Sequence, residues 1–116
     1  MNNHSHLVNK TLLWIGENCP HIRAWKNPTG QAYTIASVAD YIDSGDVKKL
    51  VRISFGMVGQ ADISGIIQGG KRIEIEIKTG TGKQSAVQKS WQAMIEQRGG
   101  LYLVVRDVKD LNILLN

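Results

Sequence analysis

Cysteine is nearly absent: Cys19 stands alone, so no internal disulfide can form and the chain fits a reducing, cytoplasmic setting. Proline is almost as scarce, with Pro20 and Pro28 both in the first third. No apolar run approaches the ~20 residues of a membrane span, so no membrane partner is expected. The opening MNNHSHLVNK lacks the basic-then-apolar plan of a secretory signal. There is no internal repeat and no low-complexity tract. Helix-turn-helix and zinc-ribbon patterns are also missing, which removes the common modules that read base sequence. The 116 residues suffice for one core and are read as a single domain over 1–116. The formal net charge of +4 tilts weakly toward a polyanionic partner.

What is present reads as alternating helix and strand. Ser5 can cap a helix from roughly His6 to Glu17, with Leu7, Val8, Thr11, Leu12 and Ile15 as its apolar stripe and Gly16 and Asn18 as stops. "IRAWKN" reads as a short strand or extended arm, closed by the turn signal Pro28-Thr29-Gly30. Residues 31–50 are the least legible, and "SVADYIDSGD" suggests at most a helical turn. Leu50 to Gly56 and Ala61 to Ile67 are strand candidates. Gly69-Gly70 makes a tight hairpin turn, because both residues tolerate positive φ, and Lys71 to Lys78 returns as the antiparallel partner. A helix from Ser85 to Arg98 carries Val87, Trp91, Met94 and Ile95 on one stripe and ends at Gly99-Gly100. "LYLVVR" reads as a strand covered on both faces, and "VKDLNILL" as a short closing helix. Strand, helix and strand in this order predict a right-handed crossover between parallel strands. The expected fold class is α/β, a mixed sheet flanked by helices.

The segment "IEIEIKTGTGKQS" raises two incompatible chemistries. Its right half resembles a P-loop, which needs G-x-x-x-x-G-K-[ST]. The first glycine of that pattern falls on Ile77 and the magnesium-binding hydroxyl on Gln84. Both the turn and the ligand are missing, so no nucleotide cofactor is expected, and Gly80 and Gly82 serve the turn from strand to helix. In the left half, period-two geometry puts Glu74, Glu76 and Lys78 on one face and Ile73, Ile75 and Ile77 on the other. A lone pattern of this kind is usually a solvated strand face. The hairpin changes the odds, because it can bring Asp62 back beside Glu76. Two close carboxylates repel unless a cation sits between them, and hard oxygens suit Mg²⁺ or Mn²⁺. Lys78 then supplies a cation beside a scissile phosphate, and the set becomes a kit for phosphodiester hydrolysis. Glu74 is expected to be solvated or to stand behind the metal ligands.

Asp62 followed by Glu76-Ile77-Lys78 across a hairpin resembles the PD-(D/E)XK nuclease superfamily. "GMVGQADISGII", "IEIEIKTGTGKQSAVQKSWQ", "GGLYLVVRDVKDL" and the earlier "WKNPTG" are together similar to the VRR-NUC family over most of the chain. The resemblance implies a restriction-endonuclease-like core in the order α-β-β-β-α-β. It implies metal ligation by Asp62, Glu76 and the backbone carbonyl of Ile77, a catalytic Lys78, and Gln88 projecting from the helix toward the site. Ser85-x-x-Gln88 is equally a capping box, which assigns Gln88 a second, structural role. The sequence departs from the family in two places. Ala61 replaces the usual proline before the aspartate, and His6 is the nearest equivalent of a glutamate near the start of the first helix. His6 is thus a further candidate ligand, better suited to Mn²⁺ than to Mg²⁺, against the plainer reading of His4 and His6 as an exposed terminus.

A nuclease needs cations around its site. Lys26, Lys83 and Lys89 are candidates for DNA contact together with Asn27 of "WKNPTG". Lys48, Lys49 and Arg52 are further candidates, and Trp25 is a possible stacking surface. The resemblance implies a small bacterial or phage homodimer that cuts branched DNA, such as a four-way (Holliday) junction. "LNILLN" serves as the dimer contact or packs within the monomer. The expected activity is a structure-selective, Mg²⁺- or Mn²⁺-dependent endodeoxyribonuclease. The alternative is a nucleic-acid-binding protein on a nuclease fold, impaired by the missing first-helix carboxylate.

Overall fold

The computed structural model describes residues 2–28, 30–35, 50–55 and 57–115, with 30–35 and 50–55 described by their backbone. They fall into two units, one from residues 1–27 and 58–116, the other from residues 28–57.

In the larger unit, α1 spans Asn3–Asn18. Its start lies earlier than the sequence suggests. Asn2, not Ser5, is the N-cap, and its side chain accepts the Ser5 amide at 2.7 Å. The helix also runs through Gly16, and Val8, Thr11 and Ile15 of the expected stripe are buried. Strand β1 (Ile22–Lys26) follows at once.

Further along come β4 (Ile63–Ile67), β5 (Lys71–Ile77), α2 (Ala86–Gln97), β6 (Leu101–Val105) and a closing 3₁₀ helix, Val108–Leu114. The four strands form a sheet in the order β1-β4-β5-β6. Pairing is antiparallel between β1 and β4 and between β4 and β5, and parallel between β5 and β6. The element order within this unit is α-β-β-β-α-β. Gly69 and Gly70 turn the β4–β5 hairpin with φ of 100° and 99°, as the sequence predicts. Gly65 has a different task. A Cβ there would lie 2.6 Å from the Arg23 carbonyl, so a glycine lets β1 and β4 approach.

The core follows from alternation along β5, in which Ile73, Ile75 and Ile77 are all fully buried. They join Val8 and Ile15 of α1, Ile22, Ile63, Val105, and Leu111 and Leu114 of the 3₁₀ helix. The segment "LNILLN" is therefore divided: Leu111 and Leu114 pack inward, while Ile113 and Leu115 are exposed. At Glu74 and Glu76 the other face of β5 is not solvated, because Trp91 of α2 reaches down to Glu74, whereas Arg72 further along that face is exposed. Glu74 and Glu76 are both buried. Strand β6 lies at the sheet edge; Tyr102 and Val105 are buried, the residues between them half-buried.

The smaller unit contains β2 (Gly30–Ile35) and β3 (Leu50–Phe55), antiparallel from Gly30 opposite Phe55 to Ile35 opposite Leu50. The expected β3 strand thus has a partner within the stretch that sequence patterns left unread. Thr29, Lys48, Lys49 and the "SVADYIDSGD" segment lie outside the described residues. Among the described residues, no helix is long and apolar enough to cross a membrane.

Candidate metal centre

The hairpin register positions the carboxylates. Ile63 pairs with Ile75, so the next step brings Asp62, just before β4, opposite Glu76. Asp62 is held from three sides. Its Oδ2 accepts the Ile77 amide at 2.8 Å, its carbonyl accepts the Asn27 amide at 2.9 Å, and His4 Nε2 approaches Oδ2 at 3.3 Å. Single ligand atoms of His4, Asp62 and Glu76 all lie within 4.8 Å of one another. Asp62 and Glu76 are therefore brought together as the sequence reading required.

The histidine in this group is His4, not His6. Two residues turn an α-helix by about 200°, so the two imidazoles point to nearly opposite sides of α1. His6 is exposed and lines a shallow groove with Asn9, Lys10 and Leu13. The early helix start at Asn2 is what places His4 in the first turn, facing Asp62. The sequence holds both histidines, but only the helix phase separates them.

Glu76 is 2% exposed, and its Oε2 is buried with no hydrogen-bond partner among the described residues. Its carboxyl is pushed up from 4.5 to about 9, first by burial and then by a hydrogen bond with Asp62 and the Asp62 charge; Lys78 opposes the rise, and Glu74 adds a smaller upward push. Tyr102 follows the same pattern and is pushed up to about 12, first by burial and then by the Glu76 charge, while a hydrogen bond from Gln84 opposes the rise.

Lys78 is half-buried just past the end of β5, and its Nζ donates to Gln88 Oε1 at 2.9 Å. The same oxygen accepts the Ser85 amide at 2.9 Å, while Ser85 Oγ accepts the Gln88 amide at 3.2 Å. Gln88 thus closes the capping box of α2, as that reading expects, and the same side-chain oxygen also reaches Lys78. The β5–α2 turn is shaped by Gly80, with φ of 57°, and by Arg106, which donates to the Gly80 and Gly82 carbonyls. Glu74 is fully buried and accepts Trp91 Nε1 at 2.7 Å and Arg72 Nε at 3.2 Å, so it is a latch between α2 and the sheet rather than a solvated charge.

The residues expected to contact DNA separate. Asn27 is buried, and its Nδ2 donates to the Ala61 carbonyl at 2.9 Å and to Ser64 Oγ at 2.6 Å. It clamps the segment carrying Asp62 and is not a surface contact, a role that its polar side chain alone does not reveal. Lys26 is exposed but sits on the Ile63 face, opposite to the carboxylates. Lys83 and Lys89 are exposed, beside the turn and on the first part of α2. Comparison with protein-family models and with curated proteins finds no match for this chain.

Proposed function

We propose that this chain is a metal-dependent, structure-selective DNA endonuclease with a restriction-endonuclease-like core of the VRR-NUC kind. The observation that carries the reading is the convergence of His4, Asp62 and Glu76 beside Lys78, with a buried Glu76 oxygen left without a partner. Stripping water from two adjacent carboxyl groups is costly, and a divalent cation would relieve that cost. His4, Asp62 and Glu76 would hold it, and the resemblance adds the Ile77 carbonyl. One nitrogen among carboxylate oxygens suits Mn²⁺ better than Mg²⁺. When bound, such an ion polarises a phosphoryl oxygen and acidifies water.

The chain's own residues supply the rest. Lys78 places a positive charge beside the carboxylates, where a scissile phosphate gathers negative charge as water adds to phosphorus and the ester P–O bond breaks. Gln88 holds the ammonium in place, and Asn27 fixes the strand entry from which Asp62 projects. The absence of a sequence-reading module favours recognition of DNA shape, and branched DNA such as a four-way junction is the substrate class. A twofold homodimer suits paired cuts on such a junction, and exposed Ile113 and Leu115 supply apolar surface for it.

The test is cleavage of a four-way junction, with duplex, flap and single-stranded controls, in Mn²⁺, Mg²⁺ or chelator, for wild type and Lys78→Ala. Metal-dependent junction cutting that is lost in the variant is expected. Binding without cutting under every metal condition would replace this reading with the non-catalytic DNA binder.

A further inference from the structure

The sheet face that carries Asp62 and Glu76 continues past them. Cross-strand register puts Trp25, Ser64, Glu74 and Tyr102 in the neighbouring row and Arg23, Ile66 and Arg72 in the row after that. Same-face rows are about 7 Å apart, so Trp25 lies one row from the carboxylates. Trp91 of α2 closes over Glu74 on the β5 side. On the β1–β4 side the face is open: Trp25 is 43% exposed, Ile66 46% exposed, and Arg23 and Arg72 are exposed.

Arg72 is held in position. Its Nε donates to Glu74 Oε2 at 3.2 Å, and its guanidinium carbon lies 5.8 Å from the centroid of the Trp25 ring. Glu74 in turn is fully buried and fixed by Trp91. Neither Nη of Arg72 has a hydrogen bond among the described residues, and Arg23 has no ion pair among them. An oriented guanidinium with free donors matches a phosphate. Glu74 is the only carboxylate of these two rows, and it is already engaged.

We infer that this patch binds an unpaired nucleotide of the DNA substrate: Trp25 stacks on its base, and Arg72 and Arg23 hold the flanking phosphates. Two cations around a half-open indole, with no free carboxylate among the described residues of these two rows, complement a polyanion with aromatic faces. A paired base hides its π-face in the duplex stack, so only an unpaired base can meet the indole. Branched DNA presents such nucleotides in flaps and where pairing at the branch point is opened. The inference rests on the nuclease reading for the biological substrate, but its test does not require cleavage.

Binding of a short oligothymidylate and of a matched duplex is measured in chelator by fluorescence anisotropy, with tryptophan quenching as a second readout. Trp25→Ala is expected to weaken oligothymidylate about tenfold, to lose most of the quench and to leave duplex binding little changed. Arg23→Gln, which breaks no ion pair in the described structure, is expected to reduce the single-strand salt slope by about 0.7. Arg72→Lys keeps the charge but loses the planar fork, and is expected to weaken oligothymidylate several-fold. Thermal melts establish that the variants are folded; should Trp25→Ala not fold, Arg23→Gln decides. Unchanged affinity and quench in the folded variants would overturn the patch, even where wild type cuts junctions in Mn²⁺. Loss of oligothymidylate binding in variants of a protein that never cuts would sustain the patch and remove the nuclease.

Discussion

Glu76 makes the clearest residue-scale prediction. Its folded-state carboxyl titrates at about 9 against an ordinary 4.5. A raised carboxyl favours the protonated fold, so its contribution is fully present below about pH 4.5 and is lost as pH rises toward 9. In chelator, the melting temperature of wild type should fall as pH rises from 5 to 8.5, and Glu76→Gln should flatten that slope. Equal slopes in calorimetry would sink the assignment. Mn²⁺ acts in the opposite sense, since a cation binds the ionised carboxylate: stabilisation by Mn²⁺ should grow with pH and shrink in Glu76→Gln. Lys78→Ala and Asp62→Asn should abolish cleavage while leaving the circular-dichroism spectrum and most DNA affinity intact. Asn27→Ala belongs to a different class. It removes two hydrogen bonds inside a buried clamp, at a cost of about 1–3 kcal/mol, read as a lowered denaturation midpoint with an unchanged salt slope for DNA binding.

At the scale of elements, the site depends on how β1, β4 and β5 register and on where α1 and α2 begin. Gly65→Ala tests the first. Its Cβ would meet the Arg23 carbonyl at 2.6 Å, and backbone has little room to yield. A loss of about 1–3 kcal/mol is expected, with faster amide exchange concentrated in β1. Ser85→Ala tests the second. It removes the cap oxygen from α2, worth about 1 kcal/mol, and loosens the Gln88 that holds Lys78. Cleavage should drop with the cap, and Ser85→Thr should restore both. A variant that loses stability but keeps the full rate would show that Gln88 does not need the capping box to serve Lys78. The histidine follows the same logic: His4→Ala should weaken Mn²⁺ binding in calorimetry, while His6→Ala should leave it unchanged.

At the scale of the whole molecule, the proposed dimer can be tested through the divided C-terminal segment. Ile113→Asp places a charge on an exposed position while Leu111 and Leu114 keep the core. It should shift sedimentation from dimer toward monomer and uncouple paired junction cuts without unfolding the protein. Much of this molecule was readable from local pattern. Isoleucine alternation in β5, the Gly69-Gly70 turn, the capping box and the crossover to β6 are short-range consequences of side-chain period and backbone freedom. The pairing of Asp62 with Glu76 was also readable, because a tight hairpin fixes register over a few residues. Strand β2 was not, although Tyr33, Thr34 and Ile35 favour strands, because its partner lies beyond the stretch that separates it from β3. Polar residues were misread where burial decided their role. Asn27 became a clamp and Glu74 a latch only because elements distant in sequence close over them, and His4 displaced His6 because a cap set the helix phase. The sequence by itself determined which residues alternate and turn and how α2 is capped, since those are properties of neighbouring backbone. Only the tertiary structure decided which polar groups lose water and which imidazole faces the carboxylates, because desolvation and direction depend on what packs across the sheet.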